Sequence, residues 1–148
     1  VLAERGARKI YAIDVGHGQL HSDDAGLSHL VSLEGLNARD VTAEMIAEPI
    51  DFLVSDVSFV SLIKIIDAPS ALCAPGAKAL LLIKPQFEVG RDHVGKGGIV
   101  VPGPHVDMAI EAVLAHMDEL GWQRAGLWPS PIKGGDGNGE FLAGFRRR

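Results

Sequence analysis

KIYAIDV, residues 9–15, is a short β-branched and aromatic run that passes through an acid, Asp14, and breaks straight into Gly16-His17-Gly18. An apolar run of that length without alternation reads as a buried strand closed by a tight turn. The pattern recurs downstream. Residues 30–33 form a second strand ending at Glu34, and DFLVSDV at 51–57 a third that carries Asp56. KALLLI at 78–83 is a fourth, stopped by Lys84-Pro85. Two late strands are expected at 123–128 and 140–145.

The segments between them read as helices. Thr42 caps a short one through Ile46, and residues 60–72 form a longer one closed by Ala74-Pro75-Gly76. Residues 104–120 form the longest, with Pro104 suited to the first helical position. There Val106, Ile110, Val113, Leu114, Met117 and Leu120 share one face, while Asp107, Glu111, Asp118 and Glu119 share the other. Strands that alternate with helices predict an α/β fold with a mostly parallel sheet. Strands without polar alternation predict helices on both faces of it. The last two strands, joined by a Pro-, Gly- and Asp-rich loop at 129–139, are expected to pair as an antiparallel hairpin on the sheet edge.

The 148 residues fit one domain. With 14 basic against 19 acidic residues the formal charge is −5, which excludes a chain that clamps nucleic acid by bulk charge. Contact with RNA would need a local basic patch or a further segment. The longest apolar run is five residues, Ala79 through Ile83, against roughly 20 for a membrane-spanning helix. No leader pattern is read at the start. A single cysteine, Cys73, excludes an internal disulfide and a Cys-rich zinc site, and it fits a reducing cytoplasm. Its neighbours Leu72 and Ala74 suggest a buried, inert thiol. The opening VLAERGA reads as the last turn of a helix with Gly6 as its left-handed stop, so the chain is expected to be a piece of a longer protein.

In open α/β sheets ligands bind beyond the carboxyl ends of the strands. Those ends carry Asp14, Glu34 followed by Asn37, Asp56 and Lys84. An acid in the position of Asp14 can accept hydrogen bonds from a nucleotide's ribose hydroxyls; a turn acid is the plainer alternative. Asp56 and Lys84 could face each other across the rim, either as catalytic groups or as a structural ion pair. After IKPQFEV at 83–89 come Arg91, His93 and Lys96, in a loop that ends Gly95-Lys96-Gly97-Gly98. It is either a basic lid with an anion nest or an ordinary solvated loop, and it is not a Walker loop. The stretch SPIKGGDGNGE at 130–140 either makes a hairpin turn with an edge acid or delivers Glu140 beside Lys84. His17 and His21 have the spacing of two helical metal ligands, but Gly16 and Gly18 argue against a helix and no third ligand is evident. No nucleophile elbow is present.

The strings AIDVGHGQL, LEGLNARD, LVSDVSFVSL, LLIKPQFEVGRDHVGKGGIV and SPIKGGDGNGEFL together resemble the TlyA, or hemolysin A, family, whose members carry an FtsJ-like RNA methyltransferase domain. The resemblance covers nearly the whole chain. It implies a Rossmann-like methyltransferase sheet, S-adenosylmethionine as cofactor, and methylation of ribose 2′-hydroxyls in ribosomal RNA, on the RNA itself or the ribosomal subunit, in the cytoplasm. Of the family's Lys-Asp-Lys-Glu tetrad it places the acid at Asp56, the second lysine at Lys84 and the glutamate at Glu140. The cofactor positions fall on Asp14 with Val15 and, near the adenine, on Asn37 and Ala38. Arg91, Lys96 and Lys133 are the expected RNA contacts. His17, where the family more often has an aromatic residue, and Gly139, between Asn138 and Glu140, are small departures. The first lysine, the first strand with its glycine-rich cofactor loop, and an S4-type RNA-binding domain are expected upstream of Val1. That first strand would lie between the strands ending at Asp14 and Asp56, so its loss is expected to leave a gap, a rearranged sheet or a slot for a partner. Residues 1–148 alone are then expected to bind little cofactor and to be inactive. The rival readings are a membrane-lytic protein, which the older family name suggests, and a non-catalytic Rossmann-like binding fragment.

Overall fold

The computed structural model describes residues 1–19 and 26–148. Six strands form, as the apolar runs predict: β1 (Ile10–Asp14), β2 (Leu30–Glu34), β3 (Ile50–Ser55), β4 (Cys73–Ile83), β5 (Trp122–Pro129) and β6 (Phe141–Arg147). Three α-helices accompany them: α1 (Asp67–Ala71), α2 (Pro85–Glu88) and α3 (Pro104–Glu119). Two of the expected helices are different. At 60–72 a 3-10 turn (Leu62–Lys64) gives way to α1, because Pro69 has no N–H to donate and a continuous helix cannot run through it. Thr42 starts only a single turn, its carbonyl accepting from Met45 and Ile46 before Pro49 intervenes. Ala74-Pro75-Gly76 does not close a helix but lies within β4, where the pairing with β3 jumps from Ile50↔Cys73 to Phe52↔Lys78. Pro75 cannot join a ladder, so an irregularity there is its natural consequence.

The strands make two sheets. β1 and β2 pair in parallel, from Ile10↔Leu30 to Asp14↔Glu34. The larger sheet has the order β3-β4-β6-β5, with β3 parallel to β4 and both β6 junctions antiparallel. The late hairpin therefore forms as expected, but β6 lies inside the sheet and β5 takes the edge. Among the described residues β1 and β3 each keep one unpaired edge, on either side of a cleft lined by Leu2, Ile10, Ala12, Ile13 and Val54. Lys9 and Tyr11 both bond to Glu48, which ties β1 to the approach to β3. The opening residues end as a helix does. The Ala7 N–H donates to the Leu2 carbonyl and Gly6 N–H to that of Ala3, with Gly6 at φ 85°.

The core fills one face of the larger sheet. Leu81, Ile83, Ala143 and Phe145 from the strands meet Leu62, Ile66, Ile110, Val113 and Met117 from the helical layer. α3 turns its apolar stripe inward as its periodicity requires. The described helices do not cover both faces, contrary to the expectation. On the opposite face Phe52 and Val54 are exposed, and Leu80, Leu82 and Leu142 are half-buried. No helix among the described residues is long and apolar enough to cross a membrane.

One buried polar knot closes the far end of the sheet. Trp122 Nε1–H donates to Ser70 Oγ at 2.7 Å, and the Arg147 guanidinium donates to the Ser70 carbonyl while lying over the Trp122 ring. Stranding a buried group such as Ser70 would cost about 1–3 kcal/mol. Beside it Cys73 is buried, and that burial pushes its thiol up to about 11. The folded state thus prefers the neutral thiol, and its contribution is undiminished below the unfolded value of 9.0 and lost as pH climbs toward 11. Native protein at pH 8 should leave Cys73 unmodified by a colorimetric thiol reagent that labels it fully in denaturant, and stability should decline between pH 9 and 11. Rapid labelling of the folded protein would refute this burial.

Candidate active site at the sheet edge

The topology of β4 brings three strand ends together. β3 runs parallel to β4, so Asp56, just past β3, and Lys84, just past β4, emerge at the same edge. β6 runs antiparallel, with Phe141 opposite Ile83, so the residue before it, Glu140, arrives at that edge from the opposite direction. Lys84 Nζ lies 2.7 Å from Asp56 Oδ1 and donates to Ser58 Oγ at 3.0 Å. The lysine side chain is only 13% exposed, whereas Asp56 is 70% exposed, so the pair is buried from one side and open from the other.

Glu140 is buried, and it lines the same cleft of about 380 Å³ as Lys84, Ser58, Phe59 and Asp136. No direct bond joins Glu140 and Lys84 among the described ion pairs and hydrogen bonds. The 130–140 loop crosses the glutamate so closely that a Cβ on Gly134 would stand 2.4 Å from its Oε1. Glycine at 134 lets the loop seat over the carboxylate without pushing it aside. Asp136 belongs to the same rim. Its carboxyl is held below the usual range, chiefly because its oxygen accepts the Asn138 N–H.

The residues around this trio have distinct tasks. Glu88 accepts from Ser61 Oγ at 2.6 Å and from the Leu62 N–H at 2.8 Å. It pins the segment after Asp56 to α2, the helix that follows Lys84, and so fixes the two strand-end groups relative to each other. Phe59 has φ 66°, a conformation that costs a non-glycine residue about 1–3 kcal/mol, and its side chain is 91% exposed beside the Phe87 ring at 5.3 Å. Phe59 thus sits strained and exposed on the lip of the cleft.

The sequence indicated Asp56, Lys84 and Glu140, and all three line or adjoin this edge. It did not indicate Ser58, Phe59 or Asp136. Ser58 and Phe59 follow Asp56 within three residues, so proximity was the available signal; the left-handed backbone of Phe59 carries none. The expected RNA contacts Arg91, Lys96 and Lys133 are exposed on the two loops that wall the cleft, and among the described residues none is in an ion pair.

The expected cofactor residues gather at the carboxyl end of the smaller sheet, where Asp14 pairs with Glu34 and its carbonyl accepts the Leu36 N–H. Asp14 lines the cleft between β1 and β3, with one carboxylate oxygen accepting the Gly16 N–H at 2.7 Å. Glu34 lines it too and accepts from the Gly18 N–H at 3.1 Å. Val15 is exposed. Asn37 spends its side-chain oxygen on the Arg39 N–H as the cap of a 3-10 turn that includes Ala38. His17 lies over Gly35, and the other half of the histidine pair, His21, falls outside the described residues.

The family profile of FtsJ-like methyltransferases matches residues 1–147. Over 146 residues the chain is 39% identical to a 16S/23S rRNA (cytidine-2′-O)-methyltransferase TlyA of Mycobacterium tuberculosis, covering 99% of this chain and 54% of that protein. It is 38% identical over 145 residues to Hemolysin A of Brachyspira hyodysenteriae, covering 97% of this chain and 60% of that one. The chain thus spans about half the length of the curated relatives it matches. Among solved structures, a candidate hemolysin from Lactococcus lactis superposes with TM-score 0.92 at 39% identity, covering all of this chain and 71% of the other. Matching sequence, fold and profile over nearly every residue leave one assignment: the chain belongs to the FtsJ-like methyltransferase family.

Proposed function

We propose that this chain forms the catalytic portion of an S-adenosylmethionine-dependent enzyme that methylates ribose 2′-hydroxyls of ribosomal RNA, free or in a ribosomal subunit, in the cytoplasm. One observation carries the reading: Asp56, Lys84 and Glu140 come from three separate strand ends to a single edge, beside the exposed Phe59 ring and its neighbour Phe87. Names of relatives support the same reaction, including the cytidine 2′-O-methyltransferase with which the chain shares 39% of its residues. When bound, the cofactor supplies a methyl group made electrophilic by its sulfonium.

In this reading the ribose oxygen takes the methyl in line. The O–C bond forms as the C–S bond breaks, the bonding pair stays on sulfur, and the hydroxyl proton must leave. Lys84 Nζ meets the hydroxyl: as the ammonium paired with Asp56 it holds the oxygen in place, and it takes the hydroxyl proton only after giving its own to solvent. Asp56 at 2.7 Å and Ser58 at 3.0 Å fix the direction of Nζ. Glu140, set into the same cleft, orients the hydroxyl from the other side. Positioning of this kind and proton removal are the two contributions available to a protein here. Phe59 and Phe87 offer their faces to the target base, and Arg91, Lys96 and Lys133 offer charge to the RNA backbone.

The acids at the ends of β1 and β2 suit a cofactor's ribose, with Asp14 as the acceptor and Val15, Asn37 and Ala38 near the adenine. The open edges of β1 and β3 suit a parallel strand laid between them. We place there the family's first strand, with its glycine-rich cofactor loop and the tetrad's first lysine, and we place RNA docking in an S4-type domain. Both would fall in the part of the longer relatives that this chain does not span.

Two outcomes follow. Lys84→Ala in the full-length protein should lower single-turnover methyl transfer to ribosomal RNA by about 100-fold or more without loss of fold; normal turnover would remove Lys84 from the chemistry. Calorimetry on residues 1–148 should show no micromolar binding of S-adenosylmethionine, and on the full-length protein it should; micromolar binding by the shorter chain would refute the assignment of the missing half-site.

A further inference from the structure

Two loops wall the Lys84 cleft, and one buried side chain joins them. The first loop leaves α2 and runs through two 3-10 turns, Arg91–His93 and Lys96–Gly98. Its base is closed by the Val101 N–H donating to the His93 carbonyl at 2.9 Å and by the stacked rings of His93 and His105, 4.0 Å apart. Its tip folds on itself, with the Gly95 N–H donating to the Ile99 carbonyl at 2.7 Å. The second loop is 130–140, which delivers Glu140.

Asn138, on the second loop, is 6% exposed and satisfies every polar group it owns. Its Oδ1 accepts the Val100 N–H at 2.9 Å, and its Nδ2 donates to the Gly98 carbonyl at 2.8 Å. Its own N–H donates to Asp136 Oδ1, and its carbonyl accepts from the Gly134 N–H at 2.9 Å. The side-chain amide behaves as a peptide unit would in a ladder, pairing with the N–H of one residue and the C=O of the residue two before it. Both bonds are partly shielded from water, where an unmade one is costly. Only an amide offers donor and acceptor together in that shape; aspartate keeps the acceptor and faces the Gly98 carbonyl with a second oxygen.

We propose that Asn138 is a positioning residue: it latches the 91–101 loop onto the 130–140 loop, closing the wall of the cleft and holding Glu140 in register with Lys84. The stretch that carries Asp136 and Glu140 is then not independent of the basic loop. Opening the latch frees Lys96 from the cleft's wall and loosens the chain two residues before Glu140. The effect on catalysis rests on the reading under Proposed function; the latch itself does not.

The test compares Asn138→Asp and Asn138→Ala with the parent in the full-length protein. Limited trypsinolysis should cut after Lys96 and Lys133 about 10- to 100-fold faster in both variants, since local opening sets cleavage rate and one lost buried bond shifts that opening by this factor. Cleavage at sites outside the two loops should be unchanged. In methyl transfer the variants should raise KM for RNA and lower kcat together, a pattern that a smaller folded fraction, which leaves KM alone, cannot give. Unchanged cleavage at Lys96 and Lys133 in both variants, or faster cleavage at all sites alike, would overturn the latch. If the parent protein transfers no methyl group, the proposed function fails while the proteolysis still decides the latch.

Discussion

β4 accepts a parallel neighbour on one side and an antiparallel neighbour on the other, and the functional edge depends on that choice. In a wholly parallel sheet every strand would present its carboxyl end here, and only residues that follow strands could meet. The antiparallel entry of β6 adds a residue that precedes a strand, Glu140, one position from the ladder pair Ile83↔Phe141. Backbone hydrogen bonds therefore fix the site laterally. The side chains have only to be long enough to reach, which Lys84 is and alanine would not be.

Burial then distinguishes the three groups. Lys84 has most of its stem covered, so its ammonium meets Asp56 and Ser58 on terms less screened than at a free surface. Asp56 remains largely in solvent. Glu140 is enclosed by the glycine-rich loop over it, and that loop is held in turn by Asn138. A buried carboxylate flanked by a lysine and roofed by backbone is costly as mere packing. The core under α3, with Leu81 and Met117 wholly inaccessible, offsets that cost by ordinary apolar burial. Among the described residues the smaller sheet has no comparable core, and contacts such as those of Glu48 join it to the rest.

Much of this was legible in the residues. Each strand was marked by an apolar run, and the acids and lysine that end or follow the first four marked the edge where the candidate site lies. α3 was fixed by its stripe, and the Lys84-Pro85 stop by the ring of proline. What escaped were features set by tertiary partners. Pro69 inside a helical pattern should have divided it, but the start of the first turn depended on Glu88 accepting from the Leu62 N–H across another segment. The inclusion of Pro75 in β4 follows from pairing across Ile50↔Cys73, which no local signal records. One-sided coverage of the sheet could not be read from strands whose outward residues, Phe52, Val54 and Leu80, are as apolar as the inward ones. The site acids were visible; the left-handed Phe59 and the reach of Asn138 were not, since both depend on contacts made across loops.

In the proposed reading Asp56 and Lys84 work as one unit, because the β3–β4 pairing holds them in contact. A double-mutant cycle on single-turnover methyl transfer by the full-length protein, with Asp56→Asn, Lys84→Met and the pair, tests it most directly. Groups that act together lose function together. The account predicts that the double variant is about as slow as the slower single variant. Losses that multiply, so that the double variant shows the product of the two single defects, would contradict it.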